Sequence, residues 1–142
     1  MNQTLNFSPV TQVPPADSET AHAHFSACLA FETDCWDVHA ALRSSPDFVL
    51  LDVRSPKAFE QGHISGAVNL PYRTIDEETV DQWPPATVFV VYCAGPHCNG
   101  AHRAALRLAQ LKRPVKLMIG GVTGWLDEGF KLVRGTPAAT GH

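Results

Sequence analysis

The chain has 142 residues, the size of one ordinary domain, and is long enough to bury a hydrophobic core without disulfides or metal ions. Hydrophobic residues make up 44% and charged residues 18% of the chain, a composition that excludes an intrinsically disordered protein. The formal net charge of −3 gives no electrostatic reason to expect a nucleic acid or an anionic membrane as partner, and no apolar run is long enough to cross a membrane.

The compartment is predicted from the start of the chain and from its cysteines. MNQTLNFSPV shows no basic region followed by an apolar stretch, so we predict no secretory signal and a cytoplasmic protein. The four cysteines, Cys28, Cys35, Cys93 and Cys98, are therefore expected as free thiols. Their spacing matches no zinc site, and Cys35 with His39 would offer only two ligands, so we expect no metal.

The N-terminal part of the chain predicts an extended arm followed by two helices. Three prolines and little periodicity indicate the arm over residues 1–15. ADSETAHAHFSACLAF predicts a helix capped by Asp17 or Ser18, and TDCWDVHAALRSS predicts a second helix capped by Thr33 or Asp34. The apolar residues expected near one face are Ala21, Phe25, Cys28 and Leu29 in the first helix and Trp36, Val38, Ala41 and Leu42 in the second.

From Asp47 onward, short apolar runs alternate with helical segments. DFVLLDV, AVNLP, TVFVVY and VKLMI predict strands, whereas SPKAFEQG, DEETVDQW, GAHRAALRLAQL and a segment through Trp125 predict helices. This alternation predicts an α/β fold with a central, mainly parallel sheet and helices on both faces. The last residues, VRGTPAATGH, are polar, so we expect one domain over residues 16–134 and a flexible tail over residues 135–142.

The stretch VFVVYCAGPHCNGAHRAALRLAQL places a thiol where a buried strand hands over to a helix. Ligands of open α/β sheets bind beyond the carboxyl ends of the strands, which is where Cys93 falls. The next helix begins near Asn99 or Gly100, so its free N–H groups point back toward the loop, and Gly95 and Gly100 permit a nest of inward-facing amides. Since a helix N-terminus lowers the pKa of a cysteine, we predict that Cys93 is a reactive thiol rather than a small buried hydrophobe.

Cys98 lies near the far end of the same loop, and the sequence leaves its role open. It is a second thiol of the pocket, a resolving cysteine that forms a disulfide with Cys93, or a packing residue. The preceding strand anchors the backbone of Cys93, which favours Cys93 over Cys98 as the nucleophile.

Three stretches of the chain resemble the rhodanese family. LLDVRSPKAFEQGHISGAVNLP, from Leu50 to Pro71, is similar to the upstream signature of the family. VVYC with the following loop and helix is similar to its active-site segment, and IGGVTGW, from Ile119 to Trp125, to its downstream signature. Three ordered signatures at fitting distances are more specific than any one alone, and they imply a single rhodanese-like domain.

The resemblance implies an enzyme, a sulfurtransferase that moves a sulfane sulfur through a persulfide on Cys93 without a metal or organic cofactor. The donor would be thiosulfate or a persulfide, and the acceptor would be cyanide, a small thiol or the thiol of a partner protein. Inward-facing amides would hold the anionic persulfide, and His97 would add a positive charge when protonated. The cradling loop comprises Ala94, Gly95, His97, Cys98, Asn99 and Gly100.

The loop departs from the common pattern of the family. Ala94 follows the nucleophile where a basic residue is usual, no arginine lies in the loop, and the loop is longer than most. These differences argue against efficient use of thiosulfate.

The upstream signature is predicted to be mainly architectural. Asp52 is expected to hydrogen-bond loop backbone, and Arg54 is expected to pair with Glu60 across the short helix. The remaining motif residues, expected to hold turns, permit a close approach or fill the core, are His63, Gly120, Gly121 and Trp125.

Other functions are weighed against sulfur transfer. A phosphatase or arsenate reductase of the same fold needs an arginine six residues after the cysteine, where this chain has Asn99, so the sequence argues against both. A non-enzymatic sulfur carrier or interaction module would also retain Cys93. A dithiol redox protein that uses Cys93 and Cys98 is the remaining alternative.

Overall fold

The computed structural model describes residues 7–136, which fall into two compact units divided between Ala30 and Phe31. In the first unit, Asp17 caps α1 (Ser18–Phe31) by accepting a hydrogen bond from the backbone N–H of Thr20 at 3.0 Å. Asp17 is one of the two predicted caps. The apolar side chains of this helix include Phe25 and Leu29, which are 63% and 75% exposed. Residues 1–6 of the predicted arm lie outside the described residues.

The second unit contains a parallel sheet that confirms the predicted fold class. Within the residues described, its strands are β1 (Glu32–Thr33), β2 (Val49–Asp52), β3 (Val68–Asn69), β4 (Phe89–Tyr92) and β5 (Val115–Met118). Their order is β1-β5-β4-β2-β3, and all pairings are parallel. The edge strand β1 was not predicted, because its two residues carry neither an apolar run nor an alternating pattern.

Helices cover both faces of this sheet. They are α2 (Cys35–Leu42), α3 (Pro56–Gln61), α4 (Glu77–Val80), α5 (Gly100–Gln110) and α6 (Gly121–Asp127). Asp34 caps α2 through the N–H of Asp37 at 2.8 Å, whereas Thr33, the other predicted cap, belongs to β1. A 3-10 turn, Tyr72–Thr74, connects β3 to α4.

The central strand β4 is buried on both sides, as its uninterrupted apolar run predicts. Alternate side chains point to opposite faces of a strand. Phe89, Val91 and Cys93 therefore join one core cluster, and Val90 and Tyr92 join the other. The helical members of the first cluster are Val80, Ala101, Ala104 and Leu108, and those of the second are Cys35, Val38 and Trp125.

One apolar residue is more exposed than the sequence suggests, and the C-terminal segment has its own backbone contacts. Trp36, expected to supply apolar contacts, is 62% exposed, and its ring meets only the edge of the core near Phe130, at a centroid distance of 5.8 Å. The C-terminal segment is held as far as Gly135, whose N–H donates to the Glu60 carbonyl at 3.1 Å. Val133 also forms an antiparallel bridge with His63, because both backbone groups of His63 are free beyond α3. Residues 137–142 of the predicted tail lie outside the described residues.

No helix within residues 7–136 combines the length and the apolar character needed to cross a membrane.

Candidate active site

Cys93 stands directly after β4, at the carboxyl end of the central strand. Its side chain is 7% exposed and packs in the same cluster as Val91 and Ala101. The residue nevertheless lines two cavities, of about 480 Å³ and 200 Å³. The thiol is thus buried on one side and open on the other, at the edge of the sheet where ligands of this fold class bind.

Two backbone amides face the Cys93 sulfur. They belong to Ala94 and to Gly100, the first residue of α5, and both lower the pKa of the thiol. A Cβ atom at Gly100 would lie 2.8 Å from Cys93 Sγ, which is too close for any side chain. Glycine at this position therefore allows the N-terminus of α5 to approach the sulfur.

Cys98 shares this environment with Cys93. The N–H of Gly100 donates to Cys98 Sγ at 3.4 Å, and the two thiols are close enough to shift each other's pKa. Both cysteines are free, and Cys98 is the more exposed of the two. The loop therefore holds a pair of thiols.

The pKa values of the two thiols shift in opposite directions. Burial raises the pKa of the Cys93 thiol to about 11, and its hydrogen bond to Cys98 raises it as well, which outweighs the amides of Ala94 and Gly100. Burial also acts to raise the pKa of Cys98, but the S–H of Cys93 and the same two amides lower it below its usual value. The amide at the N-terminus of α5 lowers the pKa of Cys93 as expected, but burial and Cys98 outweigh it, so the expected net lowering of this pKa is not found.

The carbonyl groups of the loop are held by the first residues of α6. The N–H of Val122 donates to the Cys93 carbonyl at 3.0 Å, and the N–H of Thr123 donates to the Ala94 carbonyl at 2.9 Å. Gly121 has φ 58°, and a Cβ there would lie 2.5 Å from the Cys93 carbonyl oxygen. This contact confirms the prediction that Gly121 lets the segment after β5 approach the loop closely.

Asp52 and Arg54 form a buried network beside the thiol pair. Asp52 is fully buried, and its carboxylate accepts bonds from the Arg54 backbone N–H at 3.0 Å, from Arg54 Nη2 at 2.6 Å and from the Tyr92 hydroxyl at 2.7 Å. The backbone bond confirms the expected role of Asp52. The expected pair between Arg54 and Glu60 is wrong, since Arg54 Nη2 instead donates to Asp52 and to the Gly62 carbonyl at 2.6 Å. A buried carboxylate two residues away outcompetes the exposed Glu60.

The other loop residues that the sequence predicts for the site make different contacts or are exposed. Asn99 Oδ1 accepts a bond from Arg103 Nε at 3.1 Å, and the Gly95 carbonyl accepts one from the Cys98 N–H at 3.1 Å. His97 is exposed, and within the part of the chain that the structure describes it lines neither of the two cavities. The structure therefore gives no contact through which His97 would serve the thiols.

The larger cavity reveals two residues that the sequence did not single out. Tyr72 and Arg73 follow β3, and Arg73 Nε donates to the Tyr72 hydroxyl at 3.0 Å. Both side chains line the cavity above the thiols, which only their position beyond the sheet edge makes visible. The complete lining is Val53, Arg54, Ser55, Ala58, Pro71, Tyr72, Arg73, Cys93, Ala94 and Cys98.

Comparison with known proteins gives an independent view of the chain. The family model for the Rhodanese-like domain matches residues 36–128. The crystal structure of the BH2092 protein from Bacillus halodurans matches with a TM-score of 0.80 and 33% identity, over 83% of this chain and 87% of that chain. Together these matches confirm the family resemblance and the fold predicted from the sequence.

Two curated relatives carry the same kind of segment within longer proteins. The chain is 28% identical over 99 residues to the HTH-type transcriptional regulator Rv0324 of Mycobacterium tuberculosis, covering 70% of this chain and 43% of that protein. It is 33% identical over 90 residues to the adenylyltransferase and sulfurtransferase UBA4 of Meyerozyma guilliermondii, covering 58% of this chain and 21% of that protein. The chain thus spans less than half the length of either relative.

Proposed function

Because the chain belongs to the rhodanese-like domain family, we propose that it is a sulfurtransferase that carries a sulfane sulfur as a persulfide on Cys93. The observation that carries this proposal is the position of Cys93, at the end of the central strand, facing the amides of Ala94 and Gly100 and lining an open cavity. The name of UBA4, which includes sulfurtransferase, agrees with it. The free thiols of the chain fit a reducing compartment, and we propose the cytosol.

The first half-reaction begins with a proton transfer between the two thiols. Cys93 donates its S–H to the Cys98 thiolate, so Cys98 is an adjacent base that converts Cys93 into the nucleophile. The Cys93 thiolate attacks the outer sulfur of the donor and forms an S–S bond with it. With thiosulfate, the S–S bond of the donor breaks and sulfite leaves with the electron pair.

The second half-reaction returns the enzyme to its starting state. The acceptor, cyanide or a thiol, attacks the outer sulfur of the persulfide, and the Cys93 thiolate leaves. Between the two steps, the amides of Ala94 and Gly100 stabilise the anionic persulfide, since they already face the sulfur of Cys93. The covalent intermediate predicts ping-pong kinetics.

The larger cavity supports an organic donor in addition to thiosulfate. Its volume of about 480 Å³ falls within the size range of small-molecule sites. Its walls are mainly apolar, and the exposed Arg73 contributes to them, whereas the charge of Arg54 is offset by Asp52. An anionic organic persulfide matches both features.

The test is treatment of the protein with thiosulfate or a persulfide donor, followed by intact mass spectrometry and a thiocyanate assay. We expect thiocyanate when cyanide is present during loading and, at early times after loading without cyanide, a gain of one sulfur on the peptide that contains Cys93. Cys93→Ser abolishes both signals, Cys98→Ser retains a substantial part, and Cys28→Ser is the control that leaves both unchanged. Sulfur gain that persists in Cys93→Ser and is lost in Cys98→Ser would place the nucleophile at the other end of the loop. Sulfur gain without thiocyanate would indicate a carrier rather than an enzyme with free substrates.

A further inference from the structure

We propose that Cys98 resolves the Cys93 persulfide by expelling hydrosulfide, so that the protein is also a persulfide reductase that passes through a Cys93–Cys98 disulfide. This inference rests on the proposed function, because it begins from sulfur bound to Cys93. It adds a second fate for that sulfur, which is reduction to sulfide instead of transfer to an acceptor.

The first argument is the convergence of the two sulfur atoms. A Cβ atom at Gly100 would lie 2.8 Å from Cys93 Sγ and 3.4 Å from Cys98 Sγ, so both sulfurs meet at the same side of the first residue of α5. The Gly100 N–H donates to Cys98 Sγ at 3.4 Å, and each thiol shifts the pKa of the other. Residues 94–99 belong to neither helix nor strand, so no regular backbone structure opposes the small shift that a disulfide needs.

The second argument is the unequal environment of the two thiols. Cys98 accepts a hydrogen bond from the Gly100 N–H at 3.4 Å and is the more exposed of the pair, whereas Cys93 is 7% exposed. The lowered pKa of Cys98 supplies a thiolate beside the persulfide. Cys98 is thus suited to attack, and Cys93 is suited to be attacked.

The third argument concerns the leaving group. A thiol with a low pKa leaves faster than one with a high pKa. Burial and Cys98 raise the pKa of Cys93, whereas hydrogen sulfide is more acidic than an ordinary cysteine. Attack of Cys98 on the inner sulfur, with hydrosulfide as leaving group, is therefore favoured over attack on the outer sulfur, which would expel the Cys93 thiolate. The cavities that Cys93 and Cys98 line give hydrosulfide a way out.

The step balances in atoms and electrons. The proton that Cys98 took from Cys93 moves to the outer sulfur of the persulfide, which leaves Cys98 as thiolate and Cys93 as S–SH. A bond forms between Cys98 Sγ and Cys93 Sγ, the bond from Cys93 Sγ to the outer sulfur breaks, and hydrosulfide leaves with the electron pair. The sulfane sulfur is reduced to sulfide while the two thiols are oxidised to a disulfide. A dithiol, or two equivalents of a low-molecular-weight thiol, then reduces the disulfide and completes the cycle.

The experiment is a single loading of the full chain with one equivalent of glutathione persulfide, with no acceptor or reductant beyond the one equivalent of glutathione that the transfer releases. We expect about one equivalent of hydrosulfide per chain in the solution, and a loss of two hydrogens that links the peptides of Cys93 and Cys98 in a monomer. Adding dithiothreitol with excess persulfide turns this single release into continuous release. Cys98→Ser and Cys98→Ala retain the added sulfur on Cys93 and release no hydrosulfide before a thiol is added.

The result that overturns the inference is a wild-type protein that holds the added sulfur on Cys93 as stably as the Cys98 variants do. That result leaves the proposed sulfur transfer intact. Absence of sulfur gain in the wild type and in both Cys98 variants, with no hydrosulfide and no disulfide, would instead refute the proposed function itself. Cys28→Ser is the matched control, and unchanged hydrosulfide release from it excludes a disulfide through Cys28.

Discussion

The ends of β2 and β4 lie side by side in the sheet, yet they are built in opposite ways. Asp52 pairs with Tyr92 in the register of these strands, so the residues that follow begin from the same edge. After β2, Arg54 and Asp52 form an ion pair. In the described residues 7–136, all buried side-chain polar atoms of these two residues have hydrogen-bond partners. After β4, two thiols, Cys93 and Cys98, lie beside the first residue of a helix, and each shifts the pKa of the other.

The residues after β2 support the structure, whereas the residues after β4 are the ones for which we propose a chemical role. Charged residues are the usual candidates for chemistry in a sequence. Here, however, Asp52 and Arg54 bind each other and fix the segment between β2 and β3. The proposed reactivity lies at the thiols, which are approached by backbone amides. Four substitutions test this comparison. They change, in turn, Asp52 in the buried network, Gly121 beside the loop, Cys93 beside Cys98 and Arg73 in the larger cavity.

Asp52→Ala is expected to cause the largest effect. The substitution leaves the Arg54 guanidinium and the Tyr92 hydroxyl buried without their partner, and removal of one member of a buried ion pair costs about 3–5 kcal/mol. We expect the lower end of this range, since the Arg54 side chain keeps 12% of its surface exposed. Urea-induced unfolding measures the change in the free energy of unfolding. Asp81→Ala, at an exposed position, should change it by less than about 0.5 kcal/mol, and equal effects of both variants would contradict the role of the network.

Gly121→Ala is expected to disturb the loop more than the fold. The new Cβ would overlap the Cys93 carbonyl oxygen, so the loop must move, and small misplacements of a reactive group lower rates by roughly tenfold or more. Thiocyanate production measures the rate, and circular dichroism checks the fold. Gly129→Ala is the matched control, because Gly129 also has a positive φ, 84°, but a Cβ atom there would meet no atom within 4 Å. Equal rate losses in both variants would mean that strain, and not the contact with Cys93, is responsible.

The effect of Cys93 on the pKa of Cys98 predicts a shift in the pH dependence of Cys98 alkylation. Since the S–H of Cys93 lowers the pKa of Cys98, the Cys98 thiolate of the wild type is present at lower pH than in a free cysteine. Cys93→Ala removes this donor, so iodoacetamide alkylation of Cys98 should move to higher pH. Peptide mass spectrometry at a series of pH values gives the profile. A profile that stays in place or moves to lower pH would show that Cys93 does not lower the pKa of Cys98.

Arg73→Gln is expected to have the smallest effect. Arg73 is an exposed residue of the larger cavity, where solvent screens its charge, so an exposed ionic contact contributes about 0.2–1 kcal/mol. We expect KM for an anionic persulfide donor to rise by roughly two- to fivefold while kcat is unchanged. Arg107→Gln, an exposed position on α5, is the control. An equal rise in KM in both variants would indicate general attraction of anions by the protein surface.

The sequence predicted the elements that have strong local signals. The apolar run of β4 and the three- and four-residue intervals of α5 place Cys93 at the strand end, and Asp34 is a recognisable cap. Features that depend on distant contacts were not predictable. β1 exists because Glu32 finds Leu117 of β5 beside it, and the choice of Asp52 over Glu60 by Arg54 depends on which carboxylate is buried.

The sequence predicted that Cys93 follows the central strand, but not the pKa shifts of the two thiols in the candidate site. A cysteine between a strand and a helix is visible in the sequence, and so is the glycine at which the helix begins. Which of two thiols keeps the proton depends on burial and on a hydrogen bond across the loop, and neither follows from a spacing of five residues. The cavity residues Tyr72 and Arg73 come together with Cys93 only through the order of the strands.

The recessed position of Cys93 limits how any reaction partner can be shaped. Its backbone continues the central strand of the sheet, and its carbonyl accepts a hydrogen bond from α6. The Cys93 backbone is therefore held in place, and a reaction partner must reach the sulfur inside the cavity. Small molecules can travel down to it unaided. A protein acceptor must instead present its thiol on a narrow projection, such as a chain terminus or the tip of a loop, because a flat surface would stop at the mouth of the cavity.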